Sequence, residues 1–277
     1  MRALRLLIAA AVLATLAACP AAAVCAPAGA TVGGAAAAAR PPRRTPSNSG
    51  TEWGLALNGP HRRPGIPATA ARLLRAYSGV WIGGRHDKVV YLTFDESTEF
   101  GTTKRIITIL DRAHVKASFF LTGIYIRHDP GIARRLVAHG ELVCNHSDTH
   151  LSMVAKAGSV SAFTEQLRAP ERAFHAATGG TLARFFRPPF GAYSPRSLQL
   201  TERLGYTTVF WSFAHYDYDE AAQPAVSVTL HRIVSAAAPG VVYLLHASSR
   251  SNVSALPRAI REIARLGYRF GTLDKLH

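Results

Sequence analysis

From Lys88 onwards, the sequence alternates between short apolar runs and longer segments with helical periodicity. The predicted strands are 88–94, 117–122, 141–144, 183–186, 206–211, 241–245 and 268–270. The predicted helices are near 102–113, 130–139, 160–178, 195–204, 225–236 and 252–266. Strands joined by helical connections of this length pair in parallel, because each helix returns the chain to the same end of the sheet. We therefore predict an α/β fold, a distorted or incomplete (β/α) barrel of about seven parallel strands. An open doubly wound sheet is the alternative, but no phosphate-cradling glycine loop follows the first strand.

Polar residues follow five of the predicted strands at their carboxyl ends. They are Asp95 and Glu96, the run Asn145 to His150, the run Arg187 to Gly191, Asp217, and His246. Because parallel strands end at one edge of a sheet, where the active sites of such folds lie, we expect these residues to converge. His146 and His150 are four residues apart, and a helical turn would place both imidazoles on one side. Such a pair is more often structural, but beside a carboxylate it is typical of a hydrolytic metal site.

The first 19 residues predict a secretory leader, because Arg2 and Arg5 precede an uncharged run from Leu6 to Ala18. The end of that run resembles the lipobox of bacterial lipoproteins, which implies lipidation of Cys19. Cleavage at an Ala-x-Ala site near residues 21–23 and an uncleaved anchor are the alternatives. All three predict export, either to the extracytoplasmic face of the cell membrane or, for a secreted form, to the cell wall.

The remaining chain divides into three predicted segments. Residues 20–50 are rich in Ala, Pro, Gly and Arg and predict a flexible tether. Residues 51–87, which we call the strap, regain large apolar side chains and are expected to pack on a catalytic domain at 88–277. The formal charge of +15 favours polyanionic partners such as an anionic membrane or cell-wall polymers. No basic cluster is interleaved with aromatic residues, so nucleic acid is not an expected partner.

Taken together, the five polar segments resemble the five motifs of the NodB-type polysaccharide deacetylases, the fourth carbohydrate esterase family. The matching residues are Thr93 to Glu96, His146 to His150, Arg187 to Gly191, Ala214 to Tyr218, and Leu244 to His246. The resemblance implies that Asp95 is a general base paired with Arg187, and that His246 is a general acid oriented by Asp217. It also implies that His146 and His150 hold one divalent metal ion, for which we predict zinc.

Two motifs depart from the usual family pattern. Glu96 stands where the family usually has an aspartate metal ligand, so its role as a ligand is open, and Ala214 and Tyr218 replace an aspartate and a tryptophan. These departures are similar to those of the peptidoglycan N-acetylmuramic acid deacetylases, also called delta-lactam-biosynthetic deacetylases, as is the position of Glu99. Phe190 differs from the arginine expected in that branch.

The resemblance implies hydrolysis of the N-acetyl group of N-acetylmuramic acid in peptidoglycan, with release of acetate, and in that branch the freed amine closes into a lactam. Deacetylation of N-acetylglucosamine in peptidoglycan or chitin-like oligomers is one alternative, and an inactive tethered glycan-binding module is another. We expect a monomer that binds peptidoglycan glycan strands. The expected substrate contacts are Pro188, Pro189, Phe190, Trp211, Tyr218 and Arg250, the last as a partner for the lactyl carboxylate.

Overall fold

The computed structural model describes residues 45–97, 101–219 and 221–276. The predicted leader with Cys19, the tether up to residue 44, and Glu99 lie outside the described residues. The described strands are β1 Thr51–Glu52, β2 Val89–Glu96, β3 Ser118–Leu121, β4 Leu142–Asn145, β5 Phe185–Phe186, β6 Ala192–Tyr193, β7 Thr207–Thr208, β8 Val242–His246 and β9 Arg269–Gly271.

The helices lie between these strands, as the alternation predicts. They are α1 Ala68–Ala76, α2 Thr102–Ala113, α3 Gly123–His128, α4 Pro130–Ala138, α5 Met153–Lys156, α6 Val160–Thr178, α7 Pro195–Arg203, α8 Val226–Ser235 and α9 Arg250–Arg265. In the part of the chain that the structure describes, no helix is long and apolar enough to cross a bilayer.

One curled sheet of parallel strands forms the centre of the fold, which confirms the predicted barrel-like α/β class. Its strand order is β7-β5-β4-β3-β2-β8, and β9 pairs with the first residues of β2. Every pairing within this sheet is parallel. A separate antiparallel pair joins β1 of the strap to β6.

Side chains along β2 alternate between two apolar layers. Val90, Leu92 and Phe94 belong to the main core, which lies between the sheet and the surrounding helices and is almost fully buried. Tyr91 belongs to a second cluster inside the curl of the sheet, with Phe120 and other residues of neighbouring strands. Because successive strand residues point to opposite faces, Asp95 continues the inner face and Glu96 continues the helix-covered face.

The strap contributes to the sheet at its open side. Val80 bridges Val209, next to β7, and Ile82 bridges Val241, directly before β8. Residues 80–82 thus connect the two ends of the curled sheet through backbone pairing. This pairing explains why β7 is shorter than the predicted strand 206–211, since Phe210 donates its N–H to Val80 rather than to a strand of the sheet.

Trp53 anchors the other end of the strap. Its ring stacks on Phe210 with 4.3 Å between centroids, and its indole N–H donates to the carbonyl of Trp211 at 2.9 Å. Ahead of it, at the end of the segment predicted as a tether, Asn48 donates to the carbonyl of Val154 and accepts from Ser194.

Candidate active site

Three ionisable side chains reach the inner face of the sheet at its carboxyl edge. Asp95 of β2 is the register partner of His246 of β8, so the two residues lie side by side on neighbouring strands. His146 follows β4, and alternation from Cys144, which belongs to the inner cluster, points its side chain inward as well. The predicted convergence of strand ends therefore has a direct cause in strand register.

Arg187 forms a buried ion pair with Asp95. Its side chain is fully buried, and Nη1 lies 2.6 Å from Oδ1 of Asp95. The guanidinium also lies over the ring of Phe120, at 4.1 Å from the ring centroid. Burial opposes ionisation of Asp95, but the charge and hydrogen bond of Arg187 together with the nearby His146 and His246 outweigh it, so the pKa of Asp95 lies below its ordinary value. The Asp95 carboxylate is therefore ionised across the neutral range.

The His146 ring stands beside this ion pair. Its Nδ1 lies 2.8 Å from the carbonyl oxygen of Arg187, and its Nε2 lies 3.5 Å from Oδ2 of Asp95. Because a carbonyl only accepts, Nδ1 carries the proton and a neutral ring has its lone pair on Nε2. Burial lowers the pKa of His146 to about 4 and also lowers the pKa of His150, so both rings are neutral at pH 7.

The two imidazoles come together on a loop. Their ring centroids are 4.9 Å apart, yet residues 146–150 form no helical turn, and Ser147 and His150 have φ values of 67° and 54°. The helical turn considered from the spacing is therefore wrong, although the proximity it implied is present. Asn145 holds the loop by accepting from the N–H of Ser147, and Gln166 of α6 accepts from the N–H of Thr149.

The amino end of α3 also contacts the 146–150 loop. The N–H of Gly123 donates to the carbonyl of Ser147, and Arg127 pairs with Asp148 at 2.7 Å. A Cβ atom at Gly123 would collide with the carboxylate of Asp148. Only glycine lets the loop approach this closely. No helix was predicted at residues 123–128, so this contact was not expected from the sequence.

His246 and Asp217 form a second pair across the site. Nδ1 of His246 lies 2.7 Å from Oδ1 of Asp217, and the backbone N–H of His246 donates to Oδ2 at 3.0 Å. Burial opposes protonation of His246, but the hydrogen bond and charge of Asp217 outweigh it and raise the pKa of His246 above its ordinary value. The pair thus favours the protonated form of His246, in which Nε2 carries a proton that Asp217 does not bind.

Glu96 lies in a different environment from Asp95. Its side chain is buried on the helix-covered face of β2, and the hydroxyl of Thr103 in α2 lies 3.1 Å from each of its carboxylate oxygens. Alternation along β2 thus directs Glu96 towards α2, on the opposite face from Asp95. Within residues 45–97, 101–219 and 221–276, no three His, Cys, Asp or Glu side chains already converge as a complete ligand set.

Exposed aromatic rings flank the histidines, and we call Phe190, Tyr216 and Tyr218 the aromatic rim. Phe190 is 64% exposed and packs edge-on against His150 at 4.8 Å. Tyr218 is 58% exposed and packs against His246 at 5.7 Å, with Tyr216 in contact behind it at 4.6 Å. Large rings held at the surface on both sides of a polar site suit the apolar faces of sugar rings.

The other predicted substrate contacts have more varied positions. Pro188 and Pro189 are buried and lead into the left-handed conformation of Phe190, whose φ is 61°. Trp211 is half-buried behind the loop, where its ring lies 5.9 Å from the Arg187 guanidinium. Arg250 is exposed at the first residue of α9.

Comparison with known proteins agrees with this geometry. Residues 83–209 match the family model described as polysaccharide deacetylase. The peptidoglycan-N-acetylmuramic acid deacetylase PdaA of Bacillus subtilis is 32% identical over 229 residues, which are 83% of this chain and 86% of that protein. The solved structure of that PdaA, a family 4 carbohydrate esterase, has a TM-score of 0.79 at 31% identity and covers 83% of this chain and 97% of the other. A peptidoglycan-N-acetylglucosamine deacetylase of Bacillus cereus is 28% identical over 71% of this chain and 91% of its own length.

Proposed function

The chain belongs to the polysaccharide deacetylases, the hydrolases of carbohydrate esterase family 4, and from that premise we propose that it removes the N-acetyl group of N-acetylmuramic acid in peptidoglycan. The observation that supports this reaction best is the opposed placement of two pairs. Asp95 with Arg187 provides an ionised base, and His246 with Asp217 provides a protonated acid. Amide hydrolysis requires both, since a proton leaves the attacking water and another reaches the departing nitrogen.

Asp95 would take the proton from water. Its ion pair with Arg187 keeps the carboxylate ionised and fixes the orientation of Oδ1, so Oδ2 is the oxygen left to accept. A carboxylate with a lowered pKa is a weak base, so the water needs a further source of acidity. We propose that a divalent ion supplies it.

His146 and His150 fit the requirements of a metal site. Both are neutral, and the hydrogen bond from Nδ1 of His146 to a backbone carbonyl leaves Nε2 as the ligand nitrogen, as is usual for metal-binding histidines. Two imidazoles beside the carboxylate of Asp95 suit zinc, which we propose as the ion. When bound, such an ion acts as a Lewis acid towards the acetamide carbonyl and the attacking water.

His246 would complete the reaction at the nitrogen. Its Nδ1 is held by Asp217, so Nε2 donates the proton as the carbon–nitrogen bond breaks. Acetate and a sugar amine are the products. The raised pKa of His246 keeps a proton available at neutral pH.

N-acetylmuramic acid differs from N-acetylglucosamine by a lactyl carboxylate. Arg250 begins α9 only four residues beyond His246 and is exposed, which supports a role in binding that carboxylate. The aromatic rim would hold the sugar rings. The similarity to the Bacillus cereus N-acetylglucosamine deacetylase favours glucosamine as the second candidate target, with the same chemistry.

The place of action follows from the substrate. We propose that the protein is exported as a monomer, anchored through a lipid on Cys19, and acts on glycan strands outside the cell membrane. Whether lactam closure follows deacetylation would be read from the same product analysis as the site of deacetylation.

Product analysis by mass spectrometry tests the proposal. Purified protein is incubated with zinc and either peptidoglycan or chitooligosaccharides, and the glycan fragments are sequenced for the sugar that has lost its acetyl group. We expect loss from muramic acid, and loss only from glucosamine would support the second candidate. Asp95→Asn should abolish acetate release, whereas Asp87→Asn, which changes an exposed aspartate, should leave it unchanged. Failure to release acetate from either glycan with any divalent ion would refute both.

A further inference from the structure

Behind the His246–Asp217 pair lie two further buried polar side chains to which the five motifs assign no role. We propose that Asn252 and His215 are positioning residues that hold the Asp217 carboxylate in the orientation His246 requires. This inference rests on the proposed function, because it assigns His246 the role of proton donor.

Asn252 makes the direct contact with the pair. Its Nδ2 donates to Oδ2 of Asp217 at 2.5 Å and also reaches the carbonyl of His246 at 3.3 Å. The side chain is almost fully buried, as is Asp217. The carboxylate of Asp217 thus accepts three hydrogen bonds, two from His246 and one from Asn252. Each of its oxygens is fixed by at least one of them.

His215 determines which way the Asn252 amide points. Its Nε2 lies 3.0 Å from Oδ1 of Asn252, and only 4% of its side chain is exposed. An ionised carboxylate only accepts, so the amide nitrogen of Asn252 must face Asp217 and its oxygen must face His215. His215 therefore carries its proton on Nε2, and burial lowers its pKa, which keeps the ring neutral.

This arrangement allows one set of proton positions. His215 donates to Asn252, Asn252 donates to Asp217, and His246 donates to Asp217 from Nδ1. In the described part of the chain, Nδ1 of His215 has no hydrogen-bond partner. A buried nitrogen without a partner is unfavourable, and the hydrogen bond of Nε2 to Asn252 offsets part of that cost.

The hydrogen bonds between His215, Asn252 and Asp217 also join two separate segments of the polypeptide. Asn252 lies in the first turn of α9, where Ser249 caps the helix, whereas Asp217 lies on the loop after β7. Gln223 ties these segments together as well, since Nε2 donates to the carbonyl of Asp217 and Oε1 accepts from Ser249. The backbone is thus held independently of Asn252, so a substitution there acts mainly on the Asp217 side chain.

Four variants test the proposal: Asn252→Ala, His215→Leu, His215→Gln, and both Asn252→Ala and His215→Leu together. Loss of Asn252 should lower kcat by about tenfold to a hundredfold with little change in KM, since small misplacements of a catalytic group have effects of that size. His215→Leu should lower kcat in the same way. His215→Gln retains a donor at the position of Nε2 and should restore most of the loss. The double variant should be no slower than Asn252→Ala, because Nε2 of His215 is hydrogen bonded to Asn252 at 3.0 Å, whereas its 3.7 Å separation from Oδ2 of Asp217 is too long for a hydrogen bond.

A measurement on the free protein separates this inference from the proposed function. The Nδ1 proton of His246, hydrogen bonded to a buried carboxylate, should give a resolved downfield proton resonance, assigned by its absence in His246→Gln. We expect the signal to weaken in Asn252→Ala and His215→Leu and to persist in His215→Gln. It reports on the network even if the protein deacetylates neither glycan.

Thr201→Val is the matched control for a general loss of packing. Thr201 is buried in α7 and its hydroxyl donates only to the backbone of Ser197, so kcat and the His246 signal should both be unchanged. A kcat within twofold of the parent in Asn252→Ala, or equal losses in His215→Leu and His215→Gln, would overturn the proposal. If Asn252→Ala does not fold, the comparison of the two His215 variants decides alone.

Discussion

Replacing Arg187 by methionine should destabilise the protein strongly, because it removes one half of a buried ion pair. The guanidinium is fully buried and lies 2.6 Å from Asp95, whose side chain is 7% exposed. Methionine fills similar space but leaves the carboxylate without its cation, and breaking such a pair costs about 3–5 kcal/mol. Loss of the contact with the Phe120 ring, at 4.1 Å, acts in the same direction. For a domain of this size, that corresponds to a decrease in Tm of roughly 6–20 °C.

A double-mutant cycle distinguishes this explanation from a simple packing defect. Unfolding is followed by circular dichroism in urea for Arg187→Met, Asp95→Asn and the two together, without metal. Each single variant leaves one buried charge alone, whereas the double variant removes both. We expect the double variant to lose about 3 kcal/mol less than the sum of the singles. Additivity within about 0.5 kcal/mol would show that the two side chains do not act as a pair.

Three further outcomes follow from the site. Asp217→Asn should shift the alkaline limb of the kcat/KM profile to lower pH. Activity requires protonated His246 and is lost as pH rises through a pKa that Asp217 raises, so an unmoved limb would contradict this assignment. Gly123→Ala should displace the 146–150 loop and lower acetate release at least about tenfold, because an overpacked contact costs about 1–3 kcal/mol. Gly101→Ala is the control, since a Cβ there meets none of the described residues, and it should affect stability alone. Equal acetate release from both variants would argue against the loop contact. Chelation should abolish acetate release, and added zinc should restore it. Zinc at a hundred times its Kd should also raise the free energy of unfolding by about 2.7 kcal/mol in calorimetry, and it should not do so in His146→Ala.

The sequence predicts the large elements of the fold well. The bounds of α2 and α6 agree with the predicted helices 102–113 and 160–178, because long amphipathic segments carry a periodic signal over several turns. Four short elements were not predicted: α3 and α5, which have 6 and 4 residues, and the pair of β1 with β6, whose strands have 2 residues each. Elements this short have too few residues to show a period, and tertiary contacts determine them.

Only part of the site could be inferred from the sequence. Strand alternation and register explain why Asp95 and His246 meet, and both follow from a parallel sheet. The same alternation separates Glu96 from Asp95, although the two residues are adjacent in sequence. Asn252 lies in a stretch that resembles the muramic acid branch, and His215 lies within the fourth motif. Their meeting behind Asp217 could not be predicted, because the buried contact between α9 and the loop before Tyr218 exists only in the folded chain. The roles assigned to these residues remain predictions for the experiments above.

Closure of the sheet by the strap has a consequence for the speed of folding. Residues near the start of the described chain contact residues that come much later in the sequence. Trp53 donates to the carbonyl of Trp211 across 158 positions, and β2 pairs with both β8 and β9. Forming such distant contacts requires closing long loops, which makes folding slow. A chain synthesised from its amino end therefore cannot bury Trp53 until Phe210 and Trp211 have been made, and it cannot complete the pairing of β2 until β8 and β9 have been made. We expect newly made protein to remain sensitive to proteases for most of its synthesis and to become resistant in one late step.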